Sequence, residues 1–416
     1  MSALASHRDC PVCGAVDAQP VYRQRFAVED DGRRIAGYDV VVCRPCGAVY
    51  ADGIPPQEVL DAYYRDSSKY EYLAQQGRAP DWLLDSHREL VRGLTPILHD
   101  RSAKIVDVGC GNGDVLGLLR AAGFESLLGV DPAPQSAEAA ARLHQVRVLQ
   151  GGAFSLPPEA RDAGCVILSA VLEHLRDVSL GLRAVSEALA SRGLLYVEVP
   201  DLQRFAEHPV TPFQQFSVEH INYFTVASLS NAAVRAGLAP VENWRATRST
   251  GAALEPTICA VFLRSSEPIE PSARDEVGEV ELRRYVDVCA RREASLARRI
   301  DDLVAAQTPV ILWGVGTHTL HLLETTALSQ AHIVAMVDVN PRLHGLRVAG
   351  HSVVGPEEIT ARDEAILVCS PGHQDAIAAM ARNHYGMPNE VIVLQQTEPA
   401  DASPGGVRWD DLGEEP

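Results

Sequence analysis

One stretch, Ile105-Val-Asp107-Val-Gly109-Cys-Gly111-Asn-Gly113-Asp114, constrains this chain more than any other. A short β-branched apolar run reads as a buried strand, and it delivers the backbone into a turn with glycine at alternate positions. Without side chains there, a ligand can approach the main chain closely, and the N-terminus of the following helix faces it. Further on, Leu127-Leu-Gly-Val-Asp131 ends a second apolar run in a carboxylate, placed to accept hydrogen bonds from ribose hydroxyls. By itself the turn is shared with dinucleotide-binding dehydrogenases and with a nucleotide-like fold that binds nothing.

The surrounding sequence repeats this alternation. Strand-like runs at 104–108, 126–130, 146–149, 165–169 and 193–199 alternate with helical stretches, which predicts βαβ units and a parallel sheet. Two β-rich runs near 244–264 read as a closing hairpin. The region 265–308 opens with Ser-Ser-Glu-Pro-Ile-Glu-Pro, a linker signal, and continues as a charged helix with Leu282, Tyr285, Val286 and Leu296 as packing positions. A second α/β unit over 309–397 has strands at 310–313, 333–337 and 365–369. The acidic, Gly- and Pro-containing stretch 398–416 reads as a disordered tail.

Residues 1–75 differ in kind. Cys10-Pro-Val-Cys13 and Cys43-Arg-Pro-Cys46 supply four thiolates, the complement of a tetrahedral structural zinc site with no open position for water. Each pair is followed by glycine, Gly14 and Gly47, and the long separation predicts an intervening hairpin. Two redox-active cysteine pairs in a reducing cytosol are the alternative. The other five of the nine cysteines, Cys110, Cys165, Cys259, Cys289 and Cys369, are most simply small buried hydrophobes.

Charge narrows the partners. Lys and Arg number 37 against 55 Asp and Glu, a net charge of −18, which opposes binding along a nucleic-acid polymer. No apolar run reaches the ~18 residues of a membrane span. His7, Arg8 and Asp9 interrupt the place where a signal peptide is apolar, so a cytoplasmic protein acting on a small molecule is expected.

The Asp107–Gly113 string resembles motif I of the class I S-adenosylmethionine (SAM)-dependent methyltransferases. Asp131, and Ser169-Ala-Val-Leu-Glu-His174-Leu after the fourth strand, match later motifs of that family. The resemblance implies a SAM site built from Asp107, Gly109, Gly111, Gly113, Asp131 and Ser169. Gly152-Ala153-Phe154 lies where this fold commonly contacts adenine, and Phe154 reads equally as core packing.

After the fifth strand comes Phe213-Gln-Gln-Phe216-Ser217-Val-Glu219-His220-Ile-Asn222-Tyr223-Phe224, on the side where strand ends form a ligand crevice. Only histidine titrates near neutral pH unaided, and an adjacent carboxylate can orient or tune it. A surface turn with a buried aromatic pair is the other reading of this segment.

Taken whole, the order of parts resembles the nucleotide-sugar C-methyltransferases of deoxysugar biosynthesis. Those enzymes have an N-terminal four-cysteine zinc domain, a SAM domain and a C-terminal Rossmann-like domain. The resemblance implies the α/β class: a class I methyltransferase Rossmann-like core at 76–264, a small zinc-binding domain and a second Rossmann-like domain. It also implies His220 as the base, Glu219 as its partner, and His174 as a further site residue. A tyrosine near the exit of the zinc domain, Tyr70 or Tyr72, would contribute.

One departure stands out. The family usually has a tyrosine two residues before the glutamate, where this chain has Ser217, and Tyr223 follows the pair instead of preceding it. The expected chemistry is methylation at carbon 3 of a nucleotide-linked 4-keto deoxysugar through an enolate. Alternatives are O- or N-methylation of a sugar or other metabolite, a nicotinamide-dependent dehydrogenase, and a non-catalytic zinc scaffold with degenerate nucleotide folds. In the C-terminal unit, Gly314-Val-Gly316-Thr-His318 with Asp338 repeats the nucleotide-cradle pattern, but Thr319 replaces the third glycine of a dinucleotide fingerprint.

Overall fold

The alternating apolar runs form a seven-stranded central sheet. Its parallel part comprises β4 (Ile105–Val108), β5 (Leu127–Asp131), β6 (Arg147–Gln150), β7 (Ala163–Ser169) and β8 (Leu189–Pro200). The hairpin β10 (Leu238–Ser249) and β11 (Leu254–Arg264) closes it, giving the order β10-β11-β8-β7-β4-β5-β6. All four β4 residues are buried, because helices cover both faces of the sheet. On one side pack α1 (Asp81–Leu94), α2 (Asp114–Ala121) and α3 (Pro134–His144); on the other, α4 (Val178–Ala188) and α5 (Val226–Arg235). Strand order reverses between β4 and β7, and a ligand crevice opens at such a switch point.

The computed structural model describes residues 6–28, 35–61, 79–209, 211–250, 254–271, 273–369 and 374–394. Tyr70, Tyr72 and the tail 398–416 lie outside the described residues. No helix among the described residues is long and apolar enough to cross a membrane.

The cysteine region is a small antiparallel sheet of β1 (Ala18–Arg25), β2 (Gly37–Cys43) and β3 (Val49–Asp52). Its fourth strand comes from the central domain: β9 (Asn222–Tyr223) pairs with β3, Val49 opposite Tyr223 and Tyr50 opposite Asn222. The loop carrying Glu219 and His220 is thereby stitched into the cysteine domain.

The C-terminal unit is a second layered α/β fold. Its sheet contains β12 (Val310–Trp313), β13 (Ile333–Val337), β14 (Arg347–Val348), β15 (His351–Val354), β16 (Ala365–Val368) and β17 (Val391–Val393), in the order β14-β15-β13-β12-β16-β17. Between the two folds runs α6 (Gly278–Ala305), whose buried Leu282, Tyr285, Cys289, Leu296 and Ile300 recur at helical spacing along one face. Tyr285 and Cys289 share one buried cluster with Tyr38, Phe213, Phe216 and Leu312, so a single core joins all three parts of the chain.

Asp275 pins the junction. It is 2% exposed, and its Oδ1 accepts from the amides of Val277 and Gly278 at the start of α6. Its Oδ2 accepts from the Thr225 hydroxyl at 2.6 Å, and its own amide donates to the carbonyl of Cys46. Gly47 is required beside it, since φ is +78° and a Cβ would lie 2.0 Å from the Asp275 carbonyl oxygen. Buried, charge-assisted bonds of this kind each carry on the order of 1.5–3 kcal/mol. Asp275→Ala is expected to lower unfolding stability by about 3 kcal/mol, read from urea melts. A change under about 1 kcal/mol would show that the junction holds without it.

Candidate active site at the ends of the parallel strands

The glycine turn and the carboxylate of β5 meet directly. Asp131 Oδ2 accepts from the Gly111 amide at 2.8 Å, while Oδ1 accepts from the Ala133 amide and the Ser136 hydroxyl, each at 2.9 Å. Oδ2 has a further lone pair, so the same group can still accept from a ligand hydroxyl. Gly109 has φ +78°, and a Cβ there would lie 2.8 Å from Val171 Cγ2. Gly113 is the N-cap of α2, so the turn opens onto a helix N-terminus. These features fit a nucleoside-bearing ligand with little side-chain bulk beneath it.

Asp107 is buried beneath the turn, 3% exposed. Burial, and then the charge of Asp131, push its carboxyl up to about 7, and burial also raises Asp131. Ser169 ends β7 and donates to Glu198 Oε2 at 3.2 Å. Phe154 is half-buried and packs against the central core, beside the buried Ala153. Beyond Ser169, Ala170 has φ +54°, an uncommon backbone for a residue with a Cβ, and such residues concentrate at ligand sites.

The second half of the site is the loop 211–224. The 3₁₀ turn Leu172–His174 lies against it, the carbonyls in and just after the turn accepting from the loop. The Ile221 amide donates to the Glu173 carbonyl at 2.8 Å, and Asn222 Nδ2 donates to the carbonyls of Leu172 and Leu175, both at 2.7 Å. His174 Nδ1 sits 3.0 Å from the Glu219 carbonyl oxygen. The His174 and His220 rings are edge-on, with centroids 5.0 Å apart. The two histidines are thus brought together from segments 46 positions apart in sequence.

The cysteine domain holds this loop from behind. The Arg8 guanidinium is buried, 9% exposed, and donates to the carbonyls of Ala51, Arg176 and Ile221 and to Asn222 Oδ1. Burial lowers it to about 10, so it stays cationic at neutral pH. Tyr38 from β2 donates to the Ser217 carbonyl at 2.7 Å. Tyr223 is 2% exposed, and its hydroxyl donates to the His220 carbonyl at 2.9 Å. Ser217 has a job of its own: its hydroxyl accepts from the amides of Glu219 and His220, at 3.2 and 3.0 Å. This is a local side-chain turn of the kind short hydroxyls make.

Nothing in the linear sequence marks Arg8, Tyr38 or the carboxylate of Glu173 as members of this arrangement. Glu173 was visible inside Leu-Glu-His, but nothing in a linear string shows that it is 1% exposed beside two histidines.

The four cysteines form a cluster. Cys10 Sγ is 3.6 Å from Cys46 Sγ, and Cys13 Sγ is 3.5 Å from Cys43 Sγ. A tetrahedral ion with metal–sulfur bonds of about 2.3 Å needs edges of about 3.8 Å, so the donors fit a zinc ion. Both knuckles are built alike, the amides of Gly14 and Gly47 donating to the carbonyls of Cys10 and Cys43.

Residues 83–243 match the family described as a methyltransferase domain. That match and the fold define a class I, SAM-dependent methyltransferase domain. The chain is similar to the C-methyltransferase NovU of Streptomyces niveus, 28% identical over 254 residues, which are 56% of this chain and 56% of that protein. The chain therefore spans about half the length of this curated relative. Among solved structures, it is similar to magnesium protoporphyrin IX methyltransferase from Synechocystis PCC 6803 with bound SAH, at 15% identity and TM-score 0.39, covering 50% of this chain and 100% of that one. It is also similar to the YcgJ protein from Bacillus subtilis, at 14% identity and TM-score 0.35, covering 44% and 99%.

The raised Asp107 carboxyl yields a pH prediction. Its folded value of about 7 lies above the ordinary 3.8, so the folded protein holds a proton that the unfolded chain releases between those limits. Stability is unaffected by this group below about pH 4 and falls as pH rises towards 7. A cationic ligand beside it favours the carboxylate, so SAM affinity should rise with pH, by up to about tenfold per unit below 7. Titration calorimetry in two buffers of different ionisation enthalpy should show proton release on SAM binding near pH 6.5. Asp107→Asn should abolish that release, and an unchanged release would remove Asp107 from the SAM site.

Proposed function

We propose that this chain is a SAM-dependent C-methyltransferase acting on a nucleotide-linked 4-keto deoxysugar. The observation that carries the reading is the seating of His220 at the open end of the parallel strands, edge-on to His174 in the turn that follows β7. The likeness to a C-methyltransferase supports carbon as the acceptor.

SAM supplies a sulfonium-activated methyl, so the protein's work is to align a nucleophile and exclude water. Asp131, the glycine turn and Ser169 hold the cofactor side, with Asp107 beneath. His220 takes the proton from the carbon next to the ketone, and the C–H electron pair moves towards the carbonyl oxygen as an enolate; SAM held in the cradle would supply the methyl, its S–CH3 bond breaking as the C–C bond forms and S-adenosylhomocysteine leaving. His174 lies close enough to His220 to stabilise the enolate oxygen by hydrogen bonding or charge. Tyr223 acts as a positioning residue, its proton engaged by the His220 carbonyl. Ser217 fills a turn-forming role that a tyrosine could not fill with its distant hydroxyl. The four thiolates of Cys10, Cys13, Cys43 and Cys46 would hold a structural zinc ion that fixes the wall behind the loop.

Incubation with SAM and a panel of nucleotide-linked 4-keto sugars tests the reading by mass spectrometry. A carbon-3 methyl, located by fragmentation, is the expected result. A methyl on oxygen or nitrogen would replace it with the heteroatom alternative, and SAM binding without transfer to any member would reject this substrate class.

A further inference from the structure

Glu198 is a buried carboxylate that the proton transfer and the methyl transfer leave without a role. It is 6% exposed near the end of β8, beside Ser169 in the parallel ladder that joins β7 and β8. Four side-chain donors surround it. Its Oε1 accepts from the Tyr196 hydroxyl at 2.6 Å, from the Arg248 guanidinium, and from the Cys259 thiol at 3.4 Å. Its Oε2 accepts from the Ser169 hydroxyl at 3.2 Å. A carboxylate only accepts, so the direction of each bond is fixed. The Ser169 hydrogen is committed to Glu198, and the Ser169 oxygen has lone pairs to offer on its other side.

Strand order gives those lone pairs a ligand. Along the crevice run β6, β5, β4, β7 and β8. Asp131, the acceptor for a ribose, ends β5, and the glycine turn follows β4. Ser169 ends β7, two strand spacings or about 10 Å beyond Asp131. SAM carries an arm that runs from the ribose through sulfur to an amino acid, and the ammonium of that arm only donates. Charge alone does not select it, because the Arg248 guanidinium sits on the same carboxylate and is held on its far side by Glu89 of α1 at 2.8 Å. An ion pair without net charge attracts a cation weakly, so the direction of the Ser169 hydrogen bond is left to discriminate.

We infer that Glu198 is a positioning residue for the cofactor: by taking the Ser169 hydrogen, it turns a Ser169 lone pair towards the ammonium of the amino-acid arm. This deepens the proposed function and rests on it only in that the crevice holds SAM; nothing about the methyl acceptor enters. In Glu198→Gln the side-chain oxygen stays with the Tyr196 and Arg248 donors, and the amide nitrogen faces Ser169. That nitrogen donates, so the Ser169 hydrogen is turned out to the ligand, where it opposes another donor.

Calorimetry with S-adenosylhomocysteine and with its deamino analogue, which keeps the carboxylate and lacks the amine, tests this without a methyl acceptor. The wild-type chain should bind the amine-bearing ligand about tenfold more tightly or better. In Glu198→Gln and in Ser169→Ala that ratio should fall below about threefold, with affinity for the deamino analogue within about threefold of the wild-type value. General damage to the fold would weaken both ligands alike and leave the ratio intact. Because Glu198 acts through Ser169, the double variant should lose no more than either single one. Losses that multiply, or an unchanged ratio in Ser169→Ala, would overturn the inference. A wild-type ratio near one would do the same, even if Glu198→Gln fails to fold. A wild-type chain that binds neither ligand would instead reject the SAM reading itself, and this inference with it.

Discussion

His220→Asn should cut turnover about a thousandfold while leaving the SAM dissociation constant within about twofold. General-base catalysis contributes on the order of 10²–10⁴, and asparagine offers no group that titrates near neutral pH. The fold of the loop should survive the change, because main-chain groups hold it. The His220 amide donates to Ser217 Oγ, its carbonyl accepts from Tyr223, and the neighbouring Ile221 carbonyl accepts from Arg8. The cradle proposed for SAM is built from the ends of β4 and β5 and not from this loop. Solvent deuterium exchange at the substrate's carbon 3, measured without SAM, separates proton removal from methyl transfer. Loss of both exchange and turnover is expected. Turnover within threefold of the wild-type chain would show that another group removes the proton, and retained exchange with lost turnover would move His220 from proton removal to alignment.

The central fold was legible because its signals are local. β4, the glycine turn and Asp131 each announce themselves within a few residues, and the bond between Asp131 and Gly111 follows once β4 and β5 pair in parallel. Phe154 stays open between two roles because its ring lies near Gly181 of α4, a neighbour that its own segment does not indicate. The hydroxyl of Thr319 donates to the Gly314 carbonyl at 2.7 Å, closing from within the turn that a third glycine would have left open. The loop 211–224 was legible only as a string of interesting residues. What fixes it comes from Arg8, Tyr38 and Glu173, which precede His220 by between 47 and 212 positions and carry no motif of their own. A buried arginine satisfied by carbonyls looks, in sequence, like any surface arginine. Likewise β9 is two residues long, below the length at which strand periodicity exists, yet it joins the central domain to the cysteine sheet.

That joint makes the cysteine cluster matter to catalysis from a distance. Cys43→Ser is expected to lose zinc, to lower the melting temperature by about 10 °C or more, and to reduce turnover at least tenfold, with SAM affinity within about threefold. Four-thiolate zinc sites in small domains contribute apparent free energies of about 10–16 kcal/mol, much of it folding free energy. Cys43 ends β2, Ala48 and Val49 lead into β3, and β3 carries β9 on its far edge. Arg8, two residues before Cys10, reaches Ile221 and Asn222 immediately after His220. Loosening the knuckles therefore releases the loop through both strand pairing and the guanidinium, while Asp131 is held by hydrogen bonds from Gly111, Ala133 and Ser136. Metal analysis, thermal melts, calorimetry with SAM and turnover on one preparation separate the outcomes. Zinc loss with unchanged turnover would make the cluster a local staple only. A fall in SAM affinity equal to the fall in turnover would mean that the damage spreads through the shared core rather than along the loop.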